Sequence, residues 1–174
     1  AQRNMNQPPL AVLMPFYNAA GTLAETLDSI LRQTFSDFVL IAVDDGSSDR
    51  SAQIVRQYQK RDQRIHLLQP GRQGVVGAMN YALQHCTASV CARMDADDIM
   101  HPERLQRQWD YLQQHPHIAL LGSRVQLFPE ANIQPGLHEY IRWQNDCLTP
   151  RQIADNIFVE LPIAHPSIMF RRNI

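Results

Sequence analysis

Three short apolar runs, separated by stretches with helical spacing, constrain the fold more than any other feature of the sequence. The runs span residues 10–14, 38–43 and 89–94, and few polar side chains interrupt them, as in strands buried on both faces. After the first run, Leu23 and Leu27 begin a pattern of apolar residues typical of an amphipathic helix. Strands that alternate with helices predict an α/β protein with a mostly parallel sheet covered on both faces.

The remaining elements are predicted from the same periodicities and from signals at helix ends. Thr22 and Glu25 have the spacing of a capping box, and Pro102 suits the first position of a helix. Residues 136–146 show no regular pattern. The other predicted elements are strands at 64–68 and 164–170, helices at 48–58, 75–83, 102–115 and 149–158, and one strand or a bent pair at 118–128.

The composition narrows the possible partners and the compartment. The 174 residues suffice for one sizeable core, and a net charge of -1 without a basic stripe gives no support to a nucleic-acid partner. Three cysteines without a short-spaced pair argue against a disulfide framework or a zinc site and favour a reducing, cytoplasmic compartment. Residues 1–9 are polar and are predicted to be flexible, and no apolar run is long enough to cross a bilayer.

An acidic cluster, Asp95, Asp97 and Asp98, follows the third apolar run, where a strand is expected to end. Ligands of open α/β sheets bind at such carboxyl ends. Asp95 and Asp97 point the same way if the segment is extended. Two unpaired carboxylates about 4 Å apart repel by roughly 4 kcal/mol at an effective dielectric constant near 20, and a hard divalent cation offsets this repulsion. The alternative is an acidic turn that caps the helix beginning near Pro102.

Two further polar segments also stand at predicted strand ends. Asp44 and Asp45 precede Gly46, and one carboxylate there is suited to accept a charge-assisted hydrogen bond from a ligand N–H, such as that of uracil. The alternative is a simple turn. Residues 15–18, Pro-Phe-Tyr-Asn, form either the wall of a site for a flat base or ordinary loop packing.

Several common chemistries find no support in the sequence. The pattern Gly74-x-x-Gly77-x-x-Asn80 is only loosely like a phosphate-binding loop, because the P-loop lysine and the Gly-x-Gly-x-x-Gly fingerprint are missing. The seven histidines are dispersed, which disfavours a zinc site. No nucleophile elbow with a Ser/His/Asp order is present, so hydrolase chemistry is set aside.

The order and spacing of these motifs closely resemble those of the family 2 glycosyltransferases, which have the GT-A fold. The motifs are Pro15-Phe16-Tyr17-Asn18, Asp44-Asp45-Gly46-Ser47, Gly74-x-x-Gly77-x-x-Asn80 and Met94-Asp95-Ala96-Asp97-Asp98. The resemblance is dense over residues 10–122 and thin afterwards. It implies a Rossmann-like three-layer α/β/α sandwich, with a nucleotide-sugar-binding core at 10–130 and the start of an acceptor-side region, expected to be truncated, at 131–174.

The resemblance also implies an activity and a set of site residues. The activity is inverting transfer of a sugar from a nucleotide-diphosphate sugar, with UDP as the expected nucleotide and Mn²⁺ or Mg²⁺ as cofactor, to a glycan or lipid-linked acceptor. Asp45 matches the residue that reads uracil, and Asp95 and Asp97 match the metal-associated Asp-x-Asp pair. The residues that match donor-binding positions are Pro15, Tyr17, Asn18, Asp45, Gly74 and Asp95. Such enzymes serve polysaccharide biosynthesis at the cell envelope, which predicts a place at the inner face of the membrane for the full-length protein.

The catalytic base of an inverting transferase is not identifiable in the sequence. The resemblance places it in an acidic, aromatic-rich segment after the Asp-x-Asp, and the carboxylates after Asp98 are isolated, so the base is predicted to lie beyond Ile174. One alternative is that Asp146, Asp155 or Glu160 serves as the base. Another is a non-catalytic nucleotide-sugar-binding module. A sugar-1-phosphate nucleotidyltransferase is disfavoured, because residues 15–18 stand where that class carries a Gly-rich, Arg-containing loop.

Overall fold

A computed structural model describes residues 8–129 and 133–173 of the chain. Most of the predicted flexible segment 1–9 therefore lies outside the described residues. The strands within them are β1 Leu10–Phe16, β2 Phe38–Asp44, β3 Ile65–Leu68, β4 Val90–Arg93, β5 Leu120–Leu121 and β6 Met169–Arg171. The helices are α1 Leu23–Leu31, α2 Ser51–Gln59, α3 Gly74–His85, α4 Arg104–Gln114, α5 Pro135–Asp146 and α6 Pro150–Asn156, with a short 3₁₀ helix at His165–Ser167.

The strands form one mixed sheet in the order β3-β2-β1-β4-β6-β5. β1 lies between β2 and β4 and pairs in parallel with both, and β3 continues the parallel part beyond β2. β6 is antiparallel to β4 and to β5. The carboxyl ends of β1, β2 and β4 therefore meet at one edge of the sheet. The segment 131–174, predicted to belong to the acceptor side, supplies β6 to this sheet. The functional boundary at residue 130 stays a prediction.

Helices cover both faces of the sheet, as the apolar runs predicted. Alternate residues of β1 point to opposite faces, so Leu10 and Val12 join the larger core with α1, α2 and α4, while Ala11 and Leu13 pack with α3. All seven residues of β1 are buried. Burial of each large aliphatic side chain contributes about 1.5–3 kcal/mol, which explains why a strand covered on both faces is apolar throughout. The predicted three-layer α/β/α sandwich is confirmed.

Four predictions for the secondary structure after residue 100 are wrong in part. α4 begins at Arg104 rather than Pro102, which lies in a preceding turn. Residues 136–146 are helical rather than irregular; the pattern was weak because only Gln144 of α5 is buried. Over 118–128 the strand is confined to two residues, and the predicted strand at 164–170 begins as the 3₁₀ helix. In the last three cases few apolar residues are buried, so sequence periodicity carries little information.

The helices in the described part of the chain are not membrane spans, since none is both long and apolar enough.

The predicted helix that starts at Thr149 and Pro150 is confirmed as α6. Its capping box is complete, because the Thr149 side chain accepts a bond from the Gln152 amide and the Gln152 side-chain oxygen accepts one from the Thr149 amide.

Candidate functional site

Three polar loops meet where β1, β2 and β4 end. Phe16 lies opposite Asp44 in the β1–β2 register, and the Asp45 amide donates to the Phe16 carbonyl at 2.9 Å. On the other side of β1, the Met94 amide donates to the Leu13 carbonyl at 3.0 Å. The segments predicted to carry function are therefore adjacent in space, although the bonded residues are 29 and 81 positions apart in the chain.

Asn18 fastens the loop after β1 to the loop after β2. Its φ of 49° is in the left-handed region, which Asn tolerates better than most residues. The side-chain oxygen accepts bonds from the amides of Ser48 at 2.8 Å and Asp49 at 3.3 Å, and the Asn18 amide donates to Ser47 Oγ at 3.0 Å. Asn18 therefore holds the two loops together, and its predicted contact with a nucleotide stays a prediction.

The two acidic residues at the end of β2, Asp44 and Asp45, have different partners, although both are buried. Asp44 closes a turn, because its carboxylate accepts from the Ser47 amide at 2.9 Å and from Gln69 Nε2 at 2.9 Å. Asp45 Oδ1 accepts from the amides of Gln73 at 2.6 Å and Gly74 at 3.0 Å. These amides belong to the start of α3 and otherwise lack helical partners, so Asp45 anchors that end of the helix.

Arg72 links Asp45 to Tyr17, and the sequence motifs did not identify it. The guanidinium carbon lies 3.5 Å from the centre of the Tyr17 ring, and Nε lies 3.5 Å from Asp45 Oδ2. Gly46, with φ 77°, leaves room for this loop, because a Cβ there would stand 3.1 Å from the Arg72 amide nitrogen. The only signal in the sequence is that Arg72 is the single cation between β3 and α3.

The acidic cluster forms a turn rather than an extended segment. Asp95 and Asp97 differ in exposure within this turn: Asp95 is half-buried and Asp97 is exposed. Arg93 pairs with Asp95, with Nε 3.0 Å from Oδ1, so part of the predicted charge repulsion is offset by the protein itself. Arg93 was missed because the apolar run made it resemble an ordinary strand residue.

Helix α1 holds this turn in place. The hydroxyls of Thr22 and Thr26 both donate to the Ala96 carbonyl at 2.9 Å. The predicted capping box at Thr22 is wrong, because the Thr22 side chain makes no capping bond. Its hydroxyl bonds a carbonyl 74 residues away instead.

The electrostatics of the turn show an excess of negative charge. Burial, followed by the charges of Asp97 and Asp95, raises the pKa of Asp98 to about 6. Behind the turn, the buried Arg104 donates to the carbonyls of Arg93 at 3.0 Å and Ile168 at 3.2 Å. Burial lowers the pKa of Arg104 to about 10, so its guanidinium is charged at neutral pH and offsets part of the rise in the pKa of Asp98.

A cavity of about 310 Å³ opens between these loops. Its lining is Pro15, Phe16, Tyr17, Asn18, Ala19, Thr22, Val75, Arg93, Asp95, Ala96 and Asp97. Asp45 is not in that lining. Arg72 connects Asp45 to the lining, because its side chain contacts both Tyr17 and Asp45. Among the described carboxylates after Asp98, none lines the cavity, and Glu130 lies outside the described residues.

The acidic turn fits a hard divalent cation that takes part of its coordination from a ligand. Its donors are carboxylate oxygens, and no cluster of three potential ligand side chains is found among residues 8–129 and 133–173. Mg²⁺ is usually bound by one or two carboxylates together with substrate phosphates. Asp97, which is exposed at the cavity, and Asp95 can supply those carboxylates.

The sequence is similar to those of known glycosyltransferases. The family model described as Glycosyl transferase family 2 matches residues 11–174. The chain is 30% identical over 170 residues to the O-antigen biosynthesis glycosyltransferase WbnJ of Escherichia coli, covering 95% of this chain and 62% of WbnJ. It is 33% identical over 174 residues to glycosyltransferase MJ1057 of Methanocaldococcus jannaschii, covering 98% of this chain and 58% of that protein. The chain spans about half the length of the curated relatives it matches.

Solved structures share the fold. S. aureus TarS 1-349 in complex with UDP-GlcNAc superposes with a TM-score of 0.71 at 22% identity, covering 94% of this chain and 45% of that one. Mannosyltransferase PcManGT from Pyrobaculum calidifontis, in complex with GDP-Man and Mn2+, superposes with a TM-score of 0.70 at 22% identity, covering 95% and 45%. These likenesses confirm the predicted GT-A fold.

Proposed function

Because the chain belongs to glycosyl transferase family 2, we propose that it binds a nucleotide-sugar donor and presents the sugar for transfer. The observation that carries this proposal is the cavity at the carboxyl ends of β1 and β4, which joins the aromatic ring of Tyr17 to the carboxylates of Asp95 and Asp97. A ring at one end and carboxylates at the other suit a ligand with a flat base and a metal-bound diphosphate.

The base is proposed to be uracil, read by Asp45. Oδ1 of Asp45 accepts from the Gln73 and Gly74 amides, and Oδ2 shares the Gly74 amide at 3.1 Å and lies 3.5 Å from Arg72 Nε. A carboxylate oxygen can accept a further hydrogen bond, which favours a ligand that brings an N–H donor over one that presents a lone pair. Gly74 and Asn18 shape this end of the site through the loop contacts described above. The structure of TarS with UDP-GlcNAc supports a uridine nucleotide by analogy.

The acidic turn is proposed to hold Mn²⁺ or Mg²⁺ through Asp97, with Asp95 as second ligand. When bound, the cation neutralises charge that develops on the leaving diphosphate. Arg93 and Arg104 hold the turn from behind, Arg93 through Asp95 and Arg104 through the Arg93 carbonyl. The PcManGT complex with Mn2+ supports metal use in a protein of this fold.

Transfer is proposed to invert the configuration at the sugar, with a glycan or lipid-linked acceptor. Inversion requires a base that removes the acceptor hydroxyl proton on the face opposite the leaving group. Since none of the described carboxylates after Asp98 lines the cavity, we propose that the base lies outside the described residues. The same observation favours a second candidate function, donor binding without transfer. A turnover assay comparing this chain with the full-length gene product separates the two, because a chain that lacks its base is about 10²- to 10⁴-fold slower.

Donor binding is tested by titration calorimetry with UDP, with and without Mn²⁺. We expect Mn²⁺ to strengthen binding, and Asp97→Ala to remove that enhancement, because the carboxylate no longer helps to bridge metal and diphosphate. Asp155→Ala is the matched control, since this exposed carboxylate lies on α6, away from the cavity. Equal UDP affinities with and without Mn²⁺ would contradict the metal site, and an absence of UDP binding would contradict the proposed function.

The base contact is tested with Asp45→Asn. This variant keeps an acceptor for the Gln73 and Gly74 amides and replaces the other oxygen with a donor. We expect uridine nucleotides to lose roughly 1.5–3 kcal/mol of binding free energy, the value of a charge-assisted hydrogen bond. The preference for UDP over CDP should shrink with it, and an unchanged preference would show that Asp45 does not read the base.

A further inference from the structure

Cys86 and Cys91 bring two thiols into contact inside the sheet region. Their Sγ atoms lie 3.6 Å apart, and both side chains are buried. Cys86 is the residue at which α3 ends, and Cys91 is the second residue of β4. Both belong to the core between the sheet and α3, and neither lines the cavity of the proposed donor site. The pair is therefore a separate feature of the molecule.

The distance between the two sulfur atoms suits a disulfide bond. Such a bond is about 2.05 Å long, so the Sγ atoms have to approach by roughly 1.5 Å, which rotation of the side chains can supply. The third cysteine, Cys147, lies after α5 and donates to the Trp143 carbonyl at 3.5 Å instead. All three thiols are free. Cys86 and Cys91 are therefore the two that oxidation would join within one chain.

The two thiols also differ in acidity. The hydrogen bond between them lowers the pKa of Cys86 to about 7, although burial acts against this. The same bond, together with burial, raises the pKa of Cys91, so Cys91 stays a thiol at neutral pH. Because the thiolate is the form that attacks an oxidant, Cys86 is suited to react first and Cys91 to react second.

Cys86 is also the easier of the two for a small oxidant to reach. Although it is 1% exposed, the nearby Thr87 and Ser89 are exposed, and helix ends open more readily than the middle of a sheet. Cys91 lies within β4, which is paired with β1 on one side and with β6 on the other. Brief opening at the end of α3 therefore admits a molecule as small as hydrogen peroxide to Cys86.

We propose that Cys86 and Cys91 are a modification site, a dithiol that hydrogen peroxide oxidises to a disulfide between the end of α3 and β4. The Cys86 thiolate attacks one peroxide oxygen, the O–O bond breaks, hydroxide leaves, and Cys86 becomes a sulfenic acid. The Cys91 sulfur then attacks the Cys86 sulfur, and the S–S bond forms as the S–O bond breaks. The oxygen leaves as water with the proton of the Cys91 thiol. Peroxide gains two electrons, and the two cysteines lose them.

The second cysteine also limits how far the first is oxidised. A sulfenic acid without a neighbouring thiol is oxidised further to sulfinic acid, which thiol reductants do not reverse. The disulfide, in contrast, returns to the dithiol by thiol–disulfide exchange. The pair therefore makes the oxidation of this buried part of the core reversible.

The first test treats the whole chain briefly with hydrogen peroxide, removes the peroxide, and alkylates the remaining thiols in denaturant before mass spectrometry. Cys86 and Cys91 lie in one tryptic peptide, residues 73–93, because Arg72 and Arg93 are the flanking cleavage sites. We expect this peptide to lose two hydrogen atoms and to escape alkylation, while Cys147 is alkylated. Dithiothreitol should restore both thiols. A peptide that keeps both thiols free, or a disulfide through Cys147, would overturn the proposal.

The second test separates the roles of the two thiols. In Cys91→Ala we expect peroxide to leave Cys86 as a sulfenic acid, which dimedone traps on denaturation, and then as sulfinic acid. In Cys86→Ala the oxidation of Cys91 should be at least about tenfold slower than in the wild type, because Cys91 is not the thiolate. Cys147→Ala is the matched control and should form the disulfide at the wild-type rate. Fast oxidation of Cys91 without Cys86, or no oxidation of Cys86 without Cys91, would contradict the proposed order of steps.

Discussion

The sheet region from β1 to α4 and the helical region of α5 and α6 are built on different principles. In the first, strands and helices bury large aliphatic side chains on both faces of the sheet. In the second, α6 has no buried residue, Gln144 is the buried residue of α5, and Phe158 just beyond α6 is 96% exposed. The proposed donor site lies entirely in the first region.

The hydrogen bonds of the two regions differ in the same way. In the sheet region, side chains bond backbone groups far along the chain, such as Thr26 to Ala96 across 70 residues and Gln33 to His101 across 68. In the helical region the bonds span fewer residues, such as Gln144 to Leu161 across 17 and Asn145 to Val125 across 20. Long-range bonds fix loops relative to each other, which is what a binding site assembled from several loops needs.

The sharpest test of this contrast is a pair of large-to-small substitutions. Leu27→Ala, in the buried face of α1, should lower the free energy of unfolding by about 2–5 kcal/mol, because it removes buried methyl groups and leaves a cavity. Phe158→Ala should change it by less than about 0.5 kcal/mol, since that ring is almost fully exposed. Urea unfolding measures both. A large loss for Phe158→Ala would show that the helical region is packed in solution.

A pair of glycines gives the next largest difference. Gly46→Ala should cost about 1–3 kcal/mol of stability, because Gly46 has φ 77° and the new Cβ would lie 3.1 Å from the Arg72 amide nitrogen. Gly136→Ala is the control in α5, where the new Cβ meets nothing within 4 Å. It should be neutral or slightly stabilising, as alanine favours the helix. Thermal unfolding compares the two, and equal midpoints would contradict the close packing of the loops around Arg72.

Removal of the α6 cap should have a smaller and more local effect. Thr149→Ala deletes the acceptor for the Gln152 amide and should destabilise α6 by about 1 kcal/mol. Because no residue of α6 is buried, amide hydrogen exchange should speed up within α6 while the global unfolding free energy hardly changes. A matching fall in global stability would instead couple α6 to the sheet.

The smallest expected effect is pH-dependent. Hydrogen bonds from the Arg64 side chain and backbone amide lower the pKa of Asp62, so this pair stabilises the fold at neutral pH. The contribution is present above the unfolded-state pKa and is lost as the pH falls through the lower folded-state pKa. Asp62→Asn should therefore cost roughly 0.2–1 kcal/mol at pH 7 and nothing in strong acid. Asp155→Asn, at the exposed pair with Arg151, is the control and should change the free energy of unfolding at pH 7 by less than about 0.5 kcal/mol.

The sequence by itself determined the parts of this protein that local patterns encode. Continuous apolar runs predicted β1, β2 and β4, because burial on both faces leaves no place for polar side chains. The polar motifs directly after them predicted where a site forms, since the carboxyl ends of adjacent parallel strands share one edge of a sheet. Helix α5 was missed because an exposed helix needs few apolar residues and so leaves a weak pattern.

Only the tertiary structure decided which side chains act on one another at that edge. It assigned Arg93 to Asp95, Thr22 to the Ala96 carbonyl, and Arg72 to both Tyr17 and Asp45. It also turned the acidic cluster out of the extended conformation that its spacing suggested. Most of these contacts join residues that are 27 to 74 positions apart. No sequence period reports such pairs, because they depend on how separate loops approach when the strands pair.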